Sequence, residues 1–148
     1  MTSDLKLELL SAEHLRDVAL LEKECFIEPW SEKSLEMLLA DSGFGIAASL
    51  DGKVVGYCGV IIALDEGQIT DIAVSGAYRR RGIGMEIVKQ MILESAKRGI
   101  SVLYLEVRES NRAARELYRA CGFEECGVRK GFYRRPTEDA VLMNYKIV

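Results

Sequence analysis

Residues 69 to 107 constrain the fold of this chain most tightly. An apolar run, Ile69 to Val74, leads into Arg79-Arg80-Arg81-Gly82-Ile83-Gly84. Next come Ile83, Ile87, Val88, Met91 and Ile92 at helical spacing, a stop at Gly99, and a second apolar run, Val102 to Val107. A strand, an amphipathic helix and a strand in that order make a crossover, which is how parallel neighbours of one sheet are joined. The turn inside it exposes backbone N–H groups at a helix N-terminus, where the macrodipole favours anions. Glycines let the main chain approach closely, and arginines add charge-assisted hydrogen bonds to phosphate oxygens. A phosphate-bearing ligand is therefore expected at the carboxyl end of the central strand, where open α/β sheets bind their ligands.

The flanking segments complete a layered fold. Leu5, Leu7 and Leu9 alternate with polar residues as a first strand. Ser11 can cap a helix from about Ala12 to Cys25, and Glu28-Pro29-Trp30 breaks it. Ser31 can cap a short helix carrying Leu35, Leu38 and Leu39. Phe44 to Leu50 and Val54 to Leu64 read as strands joined by the hairpin signal Asp51-Gly52. After Val107, a helix over Arg112 to Ala120 stops at Gly122, and final strands span about Glu124 to Phe132 and Ala140 to Ile147. Antiparallel strands followed by a crossover predict an α/β (α+β layered) domain, its mixed sheet covered by helices on both sides.

Several function classes are disfavoured. No Lys-Ser or Lys-Thr follows the glycines, so the turn is not a P-loop; Ile87 stands where a dinucleotide fingerprint needs its third glycine. His14 is the single histidine, and Cys25, Cys58, Cys121 and Cys126 form no CxxC pair, so no metal site is expected. A net charge of −3 over 148 residues carries no nucleic-acid footprint and suits a basic substrate better. The chain has no membrane-length apolar run and no signal-peptide pattern at its start, so a cytoplasmic protein is expected.

A second constellation follows the crossover. Val102-Leu103-Tyr104-Leu105-Glu106-Val107 sets one carboxylate in an apolar strand, an expensive burial unless the group is paired or wet. Glu106 lies at the frayed end of the strand, pairs with Arg108, or acts as a partly desolvated base near neutral pH. Downstream, Asn111 can cap the next helix, and Tyr118 shares a face with Ala114, so a buried phenol is expected close to Glu106.

The run RRRGIG followed by LYLEVRESNRAARELYRACGF resembles the GNAT acyltransferase superfamily. Pro29-Trp30-Ser31, LEVRESNRAARELY, Gly122-Phe123 and Pro136-Thr137-Glu138-Asp139-Ala140 with Met143 resemble its RimI-type ribosomal-protein-alanine N-acetyltransferases. The resemblance covers nearly the whole chain. It implies one GNAT domain over residues 1–148, with about seven mostly antiparallel strands and about four helices.

By the same resemblance, acetyl-CoA would bind through its pyrophosphate at Arg79, Arg80, Arg81, Gly82, Ile83, Gly84 and Met85. Pantetheine would lie beside Ile72, Ala73 and Val74, with Asn111 also in contact. Glu106 would be the general base and Tyr118 the general acid, without a metal. The implied acceptor is a peptide or protein N-terminus, most simply alanine on a small-subunit ribosomal protein, met by Trp30, Glu66 and Tyr133 in an acidic groove with Glu28 and Asp65. Phe132 stands where the family commonly has a second tyrosine. The rivals are a GNAT enzyme acetylating other N-termini, lysines or a small amine, and a non-catalytic acyl-CoA sensor. No membrane or nucleic-acid partner and a monomer or weak dimer are expected.

Overall fold

The structure, a computed structural model, describes residues 4–147. Its strands are β1 (Lys6–Leu9), β2 (Gly43–Leu50), β3 (Lys53–Ala63), β4 (Glu66–Val74), β5 (Val102–Arg108), β6 (Glu124–Tyr133) and β7 (Glu138–Lys146). The helices are α1 (Leu15–Cys25), α2 (Glu32–Leu35), α3 (Ile83–Lys97) and α4 (Arg112–Ala120). All seven strands form one sheet in the order β1-β2-β3-β4-β5-β7-β6. Only β4 and β5 pair in parallel, joined by the crossover through α3. The mixed sheet read from the sequence is therefore the one observed.

Alternation along the strands divides the core in two. Ile46 and Ala48 join Ile83, Ile87, Val88 and Met91 under α3, whereas Ala47 between them joins Val18, Leu21, Leu35 and Leu38 under α1 and α2. Such burial contributes roughly 1.5–3 kcal/mol per large apolar side chain, which holds helices against both faces.

Local punctuation explains the element ends. Asp51 and Gly52 both take positive φ, as a two-residue hairpin requires. Ser31 accepts a hydrogen bond from the Ser34 N–H at 3.1 Å, and Asn111 accepts one from Ala114 at 3.1 Å, so both act as caps. The Ser11 region differs: a 3-10 turn over Ala12–His14 precedes α1, and the Ser11 N–H donates to His14 Nδ1 at 2.9 Å. A second difference is larger. The segment 65–68, between the strands expected to end at Leu64 and to begin at Ile69, belongs mostly to β4, which starts at Glu66 opposite Ala63. The connecting turn is Leu64-Asp65 with Leu64 at φ 57°, and neither residue carries a glycine or asparagine signal for it.

Candidate active site

The site lies where the sheet comes apart. β4 and β5 pair through only Glu66↔Val102, Gly67↔Leu103 and Gln68↔Tyr104. Beyond Gln68, β4 keeps β3 alone as neighbour, and β5 keeps β7 alone. A bulge sharpens the divergence: Thr70 and Asp71 together oppose Gly59, and an extra residue bends a strand locally. A cleft of about 330 Å³ opens between the two strands. Because it passes through the sheet, side chains from both faces reach it.

The free edge of β4 can be assigned from its hydrogen bonds. Ser75 N–H donates to the Val55 carbonyl at 2.8 Å, so Ser75 and Ala73 turn their main-chain groups toward β3. Ile72 and Val74 turn theirs toward the opening. The Val74 carbonyl accepts from Arg79 Nε at 3.0 Å and from the Cys25 thiol at 3.6 Å. An extended ligand can add to this edge as a strand would.

The arginine–glycine turn follows directly. Gly82 sits at φ 80° immediately before α3, and a Cβ there would meet nothing within 4 Å. Its glycine is needed for backbone conformation, and the space beside it is open. Gly84 answers a different need: a Cβ there would come within 3.1 Å of Leu117 on α4. Glu86 N–H makes the helix bond to the Gly82 carbonyl, which leaves the Ile83, Gly84 and Met85 N–H groups at the helix end without an acceptor inside the helix. Arg79, Arg80 and Arg81 are exposed around them, Arg81 stacking 5.3 Å from the Tyr78 ring centroid. Free amides, the positive end of a 15-residue helix and three cations fit a diphosphate.

Glu106 and Tyr118 border the same cleft, from β5 and α4 respectively. The Glu106 side chain is 22% exposed, with Oε2 at 3.4 Å from Arg129 Nε. The cation read from sequence, Arg108, is engaged elsewhere, with Glu138 at 3.2 Å. Tyr118 is 7% exposed, its ring centroid 6.0 Å from that of Phe123, and burial followed by the charge of Asp71 pushes its phenol up. Tyr133 and Asn111 also line the cleft; burial, then Glu106, pushes Tyr133 up to about 12.

The other acceptor-side residues separate. Trp30 packs against the core under α1 and donates its main-chain N–H to Glu22 at 2.9 Å; it does not line the cleft. Glu66 is corrected: opposite Val102, it begins β4 four residues, or about 13 Å, back along the strands from the level of Glu106. Asp65, which accepts from Ser101 at 2.7 Å, lies at that same far end. Asp65 and Glu66 are thus set apart from the cleft.

A buried carboxyl pair was missed. Glu22 is fully buried on α1 and accepts from Tyr57 Oη at 2.5 Å; Asp71, half-buried on the cleft wall, lies beside it. Burial first, then Glu22, raises the Asp71 pKa. The folded chain therefore binds this proton more tightly than the unfolded chain, whose carboxyl titrates near about pH 4. Stability from this source is present at low pH and is lost as pH rises through the raised folded value. Asp71→Asn retains a donor to Glu22 but does not titrate. Its Tm is expected to fall less than the wild-type Tm between about pH 6 and about pH 9. Parallel melting curves across that range would exclude the assignment.

One cluster has metal-ligand composition among the described residues, formed by Glu8, Glu13 and His14. His14 Nδ1 accepts the Ser11 N–H, so a neutral ring carries its proton on Nε2, 3.0 Å from Glu8. That tautomer gives a hydrogen-bonded helix entry in place of a free ligand nitrogen. Burial pushes the Cys25 and Cys121 thiols up and Cys58 to about 12, the opposite of an activated nucleophile. No helix among the described residues is long and apolar enough to cross a membrane.

Residues 15–123 match the Acetyltransferase (GNAT) family. The chain belongs to the GNAT acetyltransferase family. A ribosomal protein bS18-alanine N-acetyltransferase of Escherichia coli is 35% identical over 127 residues, covering 83% of this chain and 84% of the relative. The Salmonella typhimurium enzyme of the same name is 33% identical over 141 residues, covering 93% and 94%. The crystal structure of the ribosomal-protein-S18-alanine N-acetyltransferase from Escherichia coli superposes with a TM-score of 0.90 at 32% identity, covering 97% of this chain and 94% of that one. GNAT enzymes take their acetyl group from acetyl-CoA, and the unpaired β4 edge with the free α3 amides suits that donor.

Proposed function

We propose that this GNAT acetyltransferase moves the acetyl group of acetyl-CoA directly onto the N-terminal amine of a protein. The preferred acceptor is alanine on a small-subunit ribosomal protein, modified in the cytoplasm by a single domain spanning the 148 residues. The observation that carries the reading is the convergence of Glu106 and Tyr118 on one cleft beside the free edge of β4. The names of relatives at 33–35% identity over most of the chain support the choice of acceptor.

On this reading the α3 amides of Ile83, Gly84 and Met85, with Arg79 to Gly82, hold the diphosphate. The Ile72 to Val74 edge and Asn111 hold the pantetheine arm. Acetyl-CoA supplies an activated thioester. An α-amine has a pKa of about 7.7–8.0 and arrives largely protonated at neutral pH. Glu106 takes one proton from it, directly or through water, so that nitrogen can form its bond to the acetyl carbon. An N–H on the β4 edge donates to the carbonyl oxygen as negative charge develops there. Tyr118 gives its proton to the sulfur as the carbon–sulfur bond breaks, and the second proton leaving the new amide nitrogen restores the phenol, whose raised pKa favours its protonated form. Tyr133, on the cleft wall, shapes the acceptor side.

Tyr118→Phe retains the ring against Phe123 and removes the acid. It is expected to lower kcat by roughly 10²-fold with little change in KM. Steady-state rates equal to wild type would take Tyr118 out of the reaction. Mass spectrometry of an alanine-led peptide that also contains lysine, incubated with acetyl-CoA, tests the acceptor. One acetyl group on the α-amine is expected. Acetylation confined to lysine, or coenzyme A binding without transfer, would overturn the reading.

A further inference from the structure

Two features remain without a role: the Pro136-Thr137-Glu138-Asp139 segment, and the unusual number of bonds made by Arg108. The β6–β7 ladder is interrupted between Arg129 and Tyr133, and resumes only with Tyr133 opposite Glu138. Tyr133 is thus not fixed from its N-terminal side by strand pairing. Arg108, the last residue of β5, reaches across to this hairpin. Its Nη1 donates to the Pro136 carbonyl at 3.1 Å and to Glu138 Oε1 at 3.2 Å, and its Nη2 donates to the Arg134 carbonyl at 2.8 Å. Its guanidinium also lies 4.5 Å from the Tyr133 ring centroid.

The acidic pair closes the arrangement. Glu138 Oε2 accepts from the Ser110 N–H at 2.6 Å, and Asp139 Oδ1 accepts from the Gly131 N–H at 2.8 Å. The Asp139 carbonyl accepts from the Glu109 N–H at 3.1 Å. The hairpin is therefore tied to the end of the strand that carries Glu106. A planar cation with several fixed donors, three-quarters sheltered, is a geometric clamp that lysine cannot reproduce.

We propose that Arg108 is a positioning residue: it clasps the 134–136 loop and fixes Tyr133 on the wall of the cleft that receives the acceptor. This rests on the acetyltransferase reading above for its kinetic consequence, and on geometry alone for the clasp. Arg108 also borders the cleft, but its donors are spent on the 134–138 segment and none goes to the diphosphate turn or the β4 edge, so the effect is expected on the acceptor and not on coenzyme A.

Arg108→Met keeps side-chain length and removes the donors and the charge. KM for an alanine-led peptide is expected to rise about tenfold or more, with coenzyme A affinity by calorimetry within about twofold of wild type. Arg108→Lys, which keeps a cation over the ring and loses the fork, gives an intermediate KM. In a Tyr133→Ala background Arg108→Met adds little further, because the two act as a unit. An unchanged peptide KM, or two effects that simply add, would overturn the proposal. Amide exchange across 131–137 separates the clasp from the function. Faster exchange in Arg108→Met supports it even if the wild-type protein acetylates no peptide, and unchanged exchange overturns it whatever the kinetics.

Discussion

Glu106→Gln is expected to lower kcat by roughly 10²- to 10⁴-fold while coenzyme A affinity stays within about twofold of wild type. The loss corresponds to about 3–5 kcal/mol of barrier, the range for removing a positioned proton acceptor. Glutamine fills the same volume on β5 and preserves the alternation that buries Leu105 and Val107 on the opposite face. The ion pair it disrupts involves a well-exposed Arg129, and pairs of that kind contribute little to stability. Melting temperature is therefore expected to hold while turnover collapses. The defect should ease as pH rises, since more of the acceptor amine then arrives already deprotonated. A wild-type rate at neutral pH would remove Glu106 from the chemistry.

Arg81→Ala combined with Gly82→Val is the second large effect, and it falls on the other substrate. Valine at φ 80° is strained although its Cβ would have open space, so the cost appears in the backbone and not as a clash. Straining this residue turns the first α3 amides away from a common point, and losing Arg81 removes a charge beside them. A charge-assisted hydrogen bond contributes about 1.5–3 kcal/mol, so coenzyme A is expected to bind roughly 10- to 100-fold more weakly. Isothermal titration reads this directly; an unchanged dissociation constant would show that the diphosphate is held elsewhere.

The two substitutions differ in what sequence could reveal about them. Gly82 and the Asp51-Gly52 hairpin were legible because positive φ leaves a chemical mark, and Asn111 was legible as a cap. Leu64 adopts positive φ without that mark, forced by pairing on both sides of its turn, so the start of β4 was misplaced. Glu106 stood out as a lone carboxylate in an apolar strand. Asp71 stands equally alone between Ile69 and Val74, and the same signal could have exposed it. Glu22 offered none: among Leu21, Lys23 and Glu24 it reads as one more solvated helix charge, and only the approach of Tyr57 and Asp71 reveals its burial. Glu66 failed for the complementary reason, since composition cannot say at which end of a strand a charge will lie. The divergence of β4 from β5, on which the site depends, is a property of pairing that no single segment records.

The most direct measurement is a crystal structure of the protein with acetyl-CoA bound. The expected result has the diphosphate on the Ile83 to Met85 amides, the pantetheine arm along Ile72 to Val74, and the sulfur between Glu106 and Tyr118. A diphosphate bound away from the start of α3, or a sulfur that neither side chain can approach, would contradict it.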